Sequence, residues 1–374
     1  MKVTDDTKVA IVHDWLVGGG AERVVYELHR LYPEAPIYTS YCSPEWRKKF
    51  DGKVVTGWLQ HWPFSKLRKF IPVLRIWWFE HLDLSGYDLI ISSSGNGEAK
   101  AVKAGSKFKT GQTHVCYCHS PTHFYWRHYD QYLAHPGFGT FDPVVRFALK
   151  TLVGPLRTWD LKASKRPDYY LANSEHIKDD IERYYHRESV VVHPPIDIER
   201  FTVDPEASGK RHDFITVGRQ QPYKRVDIIV AACTRLALPL TVIGRGPEHE
   251  RLKQLAGPTV TFLTGEQASD EAVVKAMQSA KAFIFAAHED FGITPIEAMA
   301  AGTPVIAYKA GGALDYVTPG ITGAFFAAQT TESLMLVLEE FDKQRYNAND
   351  IRLQASRFSV EVFRSRIRDF IQSI

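Results

Sequence analysis

The sequence predicts an α/β protein of two doubly wound domains, and three observations support that prediction. Short apolar runs suited to buried strands alternate with helix-length segments, which favours parallel sheets covered by helices on both faces. The alternation stops at two segments rich in proline and polar residues, 193–197 and 202–211, and then starts again. The chain has 374 residues, a length that suits two domains of about 100–200 residues each.

The first series begins with the apolar run 8–13, three glycines and an amphipathic helix, which form the start of a βα unit. Its further predicted strands are 87–92, Thr113–Cys118 and Tyr169–Ala172. The second series contains predicted strands at 213–217, Leu240–Ile243, Val260–Leu263, 282–287 and 305–307. The last residues, 359–374, are predicted to form an amphipathic helix with one apolar face of Val360, Phe363, Ile367 and Ile371.

Composition and charge exclude several classes of protein. Hydrophobic residues make up 44% of the chain and charged residues 24%, which is typical of a globular protein and not of a disordered one. The net charge of +3 is too small for the whole chain to attract nucleic acid, so any basic site must be local. No apolar stretch reaches the roughly 18 residues of a membrane span. Because residues 1–8 are polar, and the four cysteines suit no disulfide framework, we expect a cytoplasmic protein without a cleaved leader.

Gly18, Gly19 and Gly20 lie between the first predicted strand and the first helix. Glycine lets the backbone approach a ligand closely, and a helix N-terminus favours an anion. The spacing matches neither the dinucleotide-binding fingerprint nor a P-loop, which disfavours dehydrogenases and nucleoside triphosphatases. A tight turn between strand and helix explains the same three residues equally well.

Basic residues surround the corresponding turn of the second domain, which contains Gly218, Arg219, Lys224 and Arg225. A guanidinium and an ammonium suit a diphosphate, which needs cations from more than one direction. Cations at a helix N-terminus oppose the helix dipole, so we favour an anion site over a solvated basic helix start. Gly244 and Gly246 follow the next strand, at the kind of sheet edge where open α/β sheets bind ligands.

The segment 288–304 is predicted to form a loop followed by a short helix. We expect Thr294 to be the N-cap and Pro295 the first helical residue. Two carboxylates, Glu289 and Glu297, bracket the loop. Thr294 and Glu297 match a capping box, which would give that glutamate a structural role. Glu289 has no such explanation and is typical of a ligand-binding group.

His119 follows the predicted strand Thr113–Cys118 directly. A lone histidine in a loop is most often a satisfied structural residue. The pattern Cys116-x-Cys118-His119 could suggest zinc, but alternate residues of a strand face the same side, which places both cysteines in the core. Structural zinc sites also use four ligands at other spacings, so we disfavour a metal here.

The segment 58–79 combines basic and aromatic residues without an acidic one. It contains Lys66, Arg68, Lys69 and Arg75 together with Trp58, Trp62, Trp77 and Trp78. Such a mixture suits the interface of an anionic bilayer. The alternative is ordinary helices whose aromatic residues pack inward while the basic ones stay in water. We favour peripheral membrane contact.

Several of these motifs closely resemble those of the family 4 glycosyltransferases, which are retaining enzymes with the GT-B fold. They occur in order over nearly the whole chain as GGGAERVV, ANSEHIKDDI, VGRQQPYKRVD, VIGRGPE, EDFGITPIEAMAAGTPV and the Ala-Gly-Gly stretch 310–312. The resemblance implies two Rossmann-like doubly wound α/β domains that face a central cleft. Residues 1–200 would bind the acceptor, joined by the C-terminal helix 359–374, and residues 201–358 would bind a nucleotide-sugar donor.

The resemblance also implies roles for individual residues. Arg219 and Lys224 would hold the donor diphosphate, Glu297 the ribose, and Glu289 the donor sugar, to which His119 would hydrogen-bond. The implied catalytic residues are therefore His119, Arg219, Lys224 and Glu289. Further contacts to the donor are implied for Gly19, Gly20, Gly218, Gly244, Arg245, Gly246, Pro247, Phe291, Gly292, Ile293 and Thr294.

The context of His119, VCYCHSPTHFYWR, looks most like that of bacterial mannosyltransferases of O-antigen and exopolysaccharide assembly. This implies GDP-mannose as the donor, no metal, and a glycan or polyprenyl-diphosphate-linked sugar as the acceptor, with His123 and Arg127 near it. Enzymes of the family are understood to react on one face of the sugar through a short-lived oxocarbenium–phosphate ion pair.

Three alternatives stay open on the same resemblance. A transferase that uses a UDP-sugar would share the site. A nucleotide-sugar 2-epimerase would share the fold, but the Glu289-x7-Glu297 stretch disfavours it. A non-catalytic subunit that keeps the donor site is disfavoured because Arg219, Lys224 and His119 are retained as well.

Overall fold

The structure, a computed structural model, describes residues 6–68, 72–122, 124–127, 129–134, 139–208 and 211–374. The chain forms two compact units, one of Met1–Pro194 with Phe363–Ile374 and one of Pro195–Val362. The first boundary thus falls after residue 194 and not after residue 200. The C-terminal segment rejoins the first unit from residue 363 and not from residue 359.

Seven strands form a sheet in the described part of the first unit. They are β1 (Val9–His13), β2 (Ile37–Thr39), β3 (Val54–Thr56), β4 (Leu89–Ser94), β5 (Thr113–Cys118), β6 (Tyr169–Ala172) and β7 (Val190–Val191). The order is β3-β2-β1-β4-β5-β6-β7, and neighbouring strands are parallel. The order reverses between β1 and β4, so a crevice is expected at the carboxyl ends of these two strands.

Helices cover this sheet. They are α1 (Gly20–Leu31), α2 (Pro44–Lys49), α3 (Phe64–Leu67), α4 (Pro72–Glu80), α5 (Tyr129–Ala134), α6 (Asp142–Ala163) and α7 (Glu175–Asp180). Single turns of 3-10 helix lie at Trp58–Gln60, Ala99–Ala101 and Gly139–Phe141, and a π-helical turn at Ile181–Tyr185. Residues of β1, such as Ile11, are buried against α1, as expected for a parallel strand covered by helices.

The second unit has a six-stranded parallel sheet in its described residues. Its strands are β8 (Phe214–Val217), β9 (Leu240–Ile243), β10 (Val260–Leu263), β11 (Ala282–Phe285), β12 (Val305–Tyr308) and β13 (Gly323–Phe326). The order β10-β9-β8-β11-β12-β13 reverses between β8 and β11. The predicted fold class, two doubly wound α/β domains with parallel sheets, is confirmed.

The helices of the second unit lie between these strands and after them. They are α8 (Pro205–Ser208), α9 (Val226–Arg235), α10 (His249–Leu255), α11 (Asp270–Ser279), α12 (Ile293–Ala300), α13 (Ala313–Tyr316), α14 (Thr331–Glu340) and α15 (Ala348–Ala355). Turns of 3-10 helix lie at Ile198–Arg200, Pro222–Lys224, Gly265–Ala268, Phe341–Lys343 and Ser356–Phe358.

The final helix, α16 (Val360–Ser373), begins in the second unit and ends in the first. Its predicted apolar face is real, because Phe363, Ile367 and Ile371 are buried in the same core as α1. Arg364 of α16 pairs with Glu27 of α1, which adds a polar contact beside that core. None of the helices within the described residues is long and apolar enough to cross a membrane.

The segment 58–79 is only partly at the surface. Trp78 is buried, and so is Arg75, whose guanidinium donates to Glu98 Oε1 at 2.7 Å. The expectation that Arg75 would face a bilayer is therefore wrong, since a buried carboxylate already holds its charge. Lys69 lies outside the described residues.

Candidate active site

A pocket opens at the carboxyl ends of β8 and β11, where the strand order of the second unit reverses. Such a reversal is the usual ligand-binding point of an open α/β sheet. Residues that line the pocket include Val217, Gly218, Arg219, Gln220, Lys224 and Phe285. Gly218, Arg219 and Lys224, which the sequence predicted for a diphosphate, thus lie around one pocket.

The basic residues of the turn after β8 lie in different environments, and Arg225 and Arg219 differ most clearly. Gly218 has a φ of 149°, and its N–H donates to the carbonyl of Ile243 at 3.0 Å, which fixes the turn against β9. Arg225 is committed to its own helix, because its Nε lies 3.2 Å from Asp227 Oδ1. Arg219 is exposed and forms no ion pair with any described residue. Its guanidinium can therefore accept an anion at the pocket without first losing a partner.

Lys224 forms an ion pair with Glu289, which lies in the loop after β11. The two side chains are 25% and 19% exposed. The contact is an ion pair without hydrogen-bond geometry, since Glu289 Oε1 has no hydrogen-bond partner among the described residues. This pair joins the loops that follow the two strands at the reversal. A diphosphate that binds Lys224 has to compete with the carboxylate of Glu289.

The hydroxyl of Tyr316 lies beneath this loop. It is buried and has no hydrogen-bond partner among the described residues. Burial, with the nearby charge of Glu289, raises the pKa of Tyr316 well above its ordinary value, so the phenol stays protonated. A Cβ added to Gly292 would lie 2.8 Å from this hydroxyl. Glycine at position 292 therefore leaves room for the tyrosine under the loop.

Helix α12 begins two residues earlier than the sequence predicted. Gly292, with a φ of 93°, is the N-cap, so Ile293 is the first helical residue and Thr294 the second. The expected Thr294 cap and its capping box with Glu297 are therefore wrong. Pro295 becomes the third helical residue, which costs no hydrogen bond because the first N–H groups of a helix have no partner within it.

Glu297 lies in α12 and is 8% exposed. The capping box with Thr294 that the sequence predicted therefore does not explain this glutamate. The loop before α12 is fixed from the other side, because Gly312 donates to the carbonyl of Glu289 at 2.9 Å. A Cβ on Gly312 would lie 2.3 Å from Phe291 Cα. The Ala-Gly-Gly stretch thus allows two loops to touch backbone to backbone.

The glycines after β9 have the same kind of role. A Cβ on Gly244 would lie 2.3 Å from the Gly218 carbonyl oxygen, and one on Gly246 would lie 2.3 Å from that of Gln220. The side chain of Gln220 also donates to the Gly244 carbonyl at 2.7 Å. Packing between the two loops explains these glycines without a ligand. Arg245 and Pro247, also predicted near the donor, are exposed in this loop.

The glycine-rich turn of the first unit is braced by a buried glutamate. Glu22 Oε1 accepts hydrogen bonds from the N–H groups of Val17 at 3.2 Å and Gly18 at 2.8 Å. Gly19 is the N-cap of α1, which begins at Gly20. Part of the backbone N–H supply predicted for an anion is therefore used by Glu22, while Gly19 and Gly20 stay exposed.

His119 lies at the carboxyl edge of the first sheet, next to the reversal between β1 and β4. Its Nε2 is 2.7 Å from Ser93 Oγ, and its carbonyl accepts from Asn173 Nδ2 at 2.8 Å. Burial, followed by the neighbouring His13, lowers the pKa of His119 to about 3. The imidazole is therefore neutral at physiological pH and acts as a hydrogen-bonding group.

Two polar residues of this network, His13 and Ser93, were not predicted. His13 ends β1 and Ser93 lies near the end of β4, and they are directly opposite each other in the sheet. Both are buried. The available signal was a polar residue at the carboxyl end of an otherwise apolar buried strand, as in VAIVH and LIISSS.

Cys116 and Cys118 are buried free thiols. Burial raises the pKa of Cys116 to about 12, which keeps the thiol protonated. Among the described residues, no group of three or more histidine, cysteine, aspartate or glutamate side chains could hold a metal ion. Arg127, expected near the acceptor, pairs with Asp180, and His123 lies outside the described residues.

Comparisons with known proteins agree with this architecture. Residues 18–200 match the family described as Glycosyltransferase Family 4, and residues 197–357 match the family described as Glycosyl transferases group 1. Together the two matches run from the glycine-rich turn to the end of the second unit's helices.

Curated relatives match shorter stretches. The D-inositol 3-phosphate glycosyltransferase of Mycolicibacterium gilvum is 29% identical over 196 residues, which cover 46% of this chain and 44% of that protein. The GDP-mannose-dependent alpha-mannosyltransferase of Mycobacterium tuberculosis is 40% identical over 108 residues, 29% of this chain and 28% of that protein. The chain therefore matches less than half the length of these two relatives.

Solved structures match almost the whole chain. Anabaena HepE in complex with UDP has a TM-score of 0.71 and 18% identity, with coverage of 98% of this chain and 100% of that one. WaaG, a glycosyltransferase involved in lipopolysaccharide biosynthesis, has a TM-score of 0.66 and 16% identity, with coverage of 97% and 99%. The chain therefore has the GT-B fold and consists of a glycosyltransferase family 4 domain followed by a glycosyl transferases group 1 domain.

Proposed function

We propose that this protein is a retaining glycosyltransferase that moves a hexose from a nucleotide diphosphate sugar to a glycan or lipid-linked sugar. The observation that carries the proposal is the pocket at the β8–β11 reversal, with Arg219 and Lys224 at its edge and Glu289 beside them. Two cations and one carboxylate suit a ligand with a charged diphosphate next to a neutral, hydroxyl-bearing sugar.

The proposed reaction breaks the bond between the anomeric carbon and the diphosphate oxygen, whose electrons stay with the diphosphate. Arg219 and Lys224 would stabilise the charge that develops there, a preorganised electrostatic role. The acceptor hydroxyl oxygen then bonds to the anomeric carbon on the same face. Its proton passes to the leaving phosphate oxygen, so the step needs no protein nucleophile.

Two side chains are proposed to bind the donor sugar. Glu289 would accept hydrogen bonds from sugar hydroxyls once Lys224 has moved to the diphosphate. His119, neutral because burial lowers its pKa, would hydrogen-bond another hydroxyl. Glu297 would hold the ribose. The cationic pair Arg219 and Lys224 is proposed to replace a divalent metal, so transfer should not depend on one.

GDP-mannose is the proposed donor. Support comes from the context of His119 and from the similarity to the M. tuberculosis protein named GDP-mannose-dependent alpha-mannosyltransferase. A UDP-sugar is the second candidate, since the solved structure of HepE has UDP bound. The proposed acceptor is a polyprenyl-diphosphate-linked sugar in the synthesis of a cell-surface polysaccharide, such as O-antigen, at the cytoplasmic face of the membrane.

Peripheral membrane contact through the segment 58–79 is part of the proposal. Trp62 is 80% exposed and Trp77 50%, and Lys66 is also exposed. Co-sedimentation with anionic vesicles should fall for Trp62→Ser combined with Trp77→Ser. The matched control is Phe147→Ser, which removes an exposed aromatic residue of α6. If that control alone abolishes binding, the contact lies on α6 and this assignment is wrong.

Thermal stabilisation by GDP, UDP and ADP, each with magnesium and with EDTA, is the first test. A bound nucleotide raises the melting temperature by mass action. A shift in melting temperature with GDP alone, of the same size with magnesium and with EDTA, supports the metal-independent GDP-mannose proposal. A shift with UDP alone would refute the mannose assignment. The absence of any shift would point to another base or to a degenerate donor site, and would refute the GDP-mannose proposal.

Product analysis separates the remaining alternatives. With the matching nucleotide sugar and a lipid-linked acceptor, a transferase forms a glycoside whose anomeric configuration is that of the donor. A 2-epimerase would release free nucleotide and the epimeric sugar without an acceptor. Formation of an inverted glycoside would refute the retaining mechanism.

A further inference from the structure

Three parallel strands bring two histidines and a serine together at the carboxyl edge of the first sheet. His13 of β1 and Ser93 of β4 are opposite each other, and Ser93 is in turn opposite Tyr117 of β5. His119 follows β5, and its N–H donates to the carbonyl of Ser94 at 2.8 Å. The rings of His13 and His119 have centroids 6.3 Å apart, with Ser93 between them.

The hydrogen bonds of Ser93 fix the position of the protons in this cluster. His13 Nδ1 lies 2.9 Å from the carbonyl oxygen of Ser93, which can only accept, so His13 must carry its proton on Nδ1. The same Nδ1 lies 3.1 Å from Ser93 Oγ and shares that proton with it. The hydroxyl oxygen therefore accepts from His13, and its own proton is free to be donated.

Among the residues that the structure describes, this proton has one acceptor. Ser93 Oγ lies 2.7 Å from His119 Nε2, so this nitrogen accepts and the neutral ring carries its proton on Nδ1. The His119 ring makes no other hydrogen bond to the described residues. Its Nδ1–H is consequently available to a ligand, whereas Nε2 is not.

We propose that Ser93 is a positioning residue that holds His119 in the Nδ1–H tautomer, so that the ring offers the donor sugar a hydrogen-bond donor and not a lone pair. The second half of this statement rests on the proposed function, in which His119 contacts a sugar hydroxyl. The first half concerns only the protein and is measurable without any substrate.

The contact with Ser93 matters because an unconstrained neutral imidazole prefers the tautomer with its proton on Nε2. Without the Ser93 hydroxyl, His119 is free to return to that tautomer and to rotate. The ring would then present a lone pair where an N–H is needed. Since a hydroxyl of the sugar can still reorient to donate, activity should fall without disappearing.

Long-range proton–nitrogen NMR of the histidine rings tests the tautomer directly. The chain has 15 histidines, so the His119 signals are assigned by their loss in His119→Gln. The expected result is an Nδ1–H pattern in the full-length, unliganded protein and a shift towards Nε2–H in Ser93→Ala. An Nε2–H pattern in the wild type, or an unchanged pattern in Ser93→Ala, would overturn the proposal.

Ser92→Ala is the matched control. Ser92 belongs to the same strand and makes the same kind of bond, with Oγ 2.8 Å from Nε2 of the buried His114. It should leave the His119 signals unchanged. Ser93→Thr, which keeps the hydroxyl, should keep the Nδ1–H pattern, and thermal melting of every variant shows that it is folded.

Transfer kinetics then test the link to the donor sugar. Ser93→Ala should lower kcat/KM about tenfold, mainly through kcat, and leave the affinity for the free nucleotide unchanged. If the tautomer shifts and transfer does not change, the positioning role is refuted. If the wild type transfers no sugar, the proposed function fails, while the NMR result still decides the role of Ser93 in fixing the tautomer.

Discussion

The ion pair between Lys224 and Glu289 should make the donor bind more weakly than it would if Lys224 were unpaired in the unliganded protein. The proposed diphosphate has to take Lys224 away from the carboxylate that holds it in the unliganded protein. By linkage, a ligand that breaks an interaction binds more weakly by the free energy of that interaction. Replacing Glu289 by glutamine removes the charge and keeps the shape of the side chain.

The size of the effect follows from the exposure of the pair. The two side chains are 25% and 19% exposed, between the surface pairs worth up to about 1 kcal/mol and the buried pairs whose disruption costs several. An interaction of about 1 kcal/mol corresponds to about a fivefold change in affinity. Glu289→Gln should therefore bind the free nucleoside diphosphate about five times more tightly and yet transfer sugar far more slowly.

Isothermal titration with GDP and UDP measures the affinity. Glu332→Gln is the control for a general change of charge, because Glu332 pairs with Arg235 in an exposed bridge of the same unit. That control should bind the nucleotide as the wild type does. Equal or weaker nucleotide binding by Glu289→Gln would refute the idea that Glu289 competes with the diphosphate for Lys224.

Three further predictions concern stability. Burial lowers the pKa of His114 to about 4, so the unfolded chain takes up a proton near pH 6.5 that the native protein does not. Between pH 7 and pH 5 the free energy of unfolding, measured with urea, should therefore fall by about 2 kcal/mol more in the wild type than in His114→Gln. Parallel pH dependences of the two proteins would contradict this. Tyr316→Phe removes a buried hydroxyl that has no hydrogen-bond partner in the described part of the chain. It should raise the free energy of unfolding by about 1 kcal/mol, whereas a decrease would reveal a partner. Gly246→Ala should lower the free energy of unfolding by about 1–3 kcal/mol, because the new Cβ would lie 2.3 Å from the Gln220 carbonyl oxygen. The control Gly154→Ala, which adds a Cβ in open space on α6, should not lower it. Equal stabilities of the two variants would contradict the close contact.

The fold could be predicted well from the sequence because buried parallel strands are continuous apolar runs. The predicted strands Thr113–Cys118, Tyr169–Ala172, Leu240–Ile243 and Val260–Leu263 have the observed bounds. The strands β2, β3, β7 and β13 were missed. The first three have only two or three residues, too few for a periodic pattern to distinguish them from a loop.

The site could be predicted only as far as local chemistry reaches. Arg219 and Lys224 were found because cations near a helix N-terminus oppose the helix dipole, which favours a bound anion there. The start of α12 was misplaced because the φ of 93° at Gly292, which a side chain would disfavour, lets the helix begin before Thr294. The contact between Ser93 and His119 depends on which strands are neighbours in the sheet, and no local pattern contains that information.

Glycines and charges therefore differ as evidence for this site. Gly244, Gly246 and Gly312 each lie against the backbone of another loop, so the fold requires them whether or not a ligand binds. Glycine spacing supports the architecture and, through it, the position of the pocket. Arg219 is exposed and has no ion-pair partner among the described residues, so no observed contact accounts for its charge. The proposed function would give this cation an anion to bind, and for that reason it depends on Arg219 more than on the glycine motifs around it.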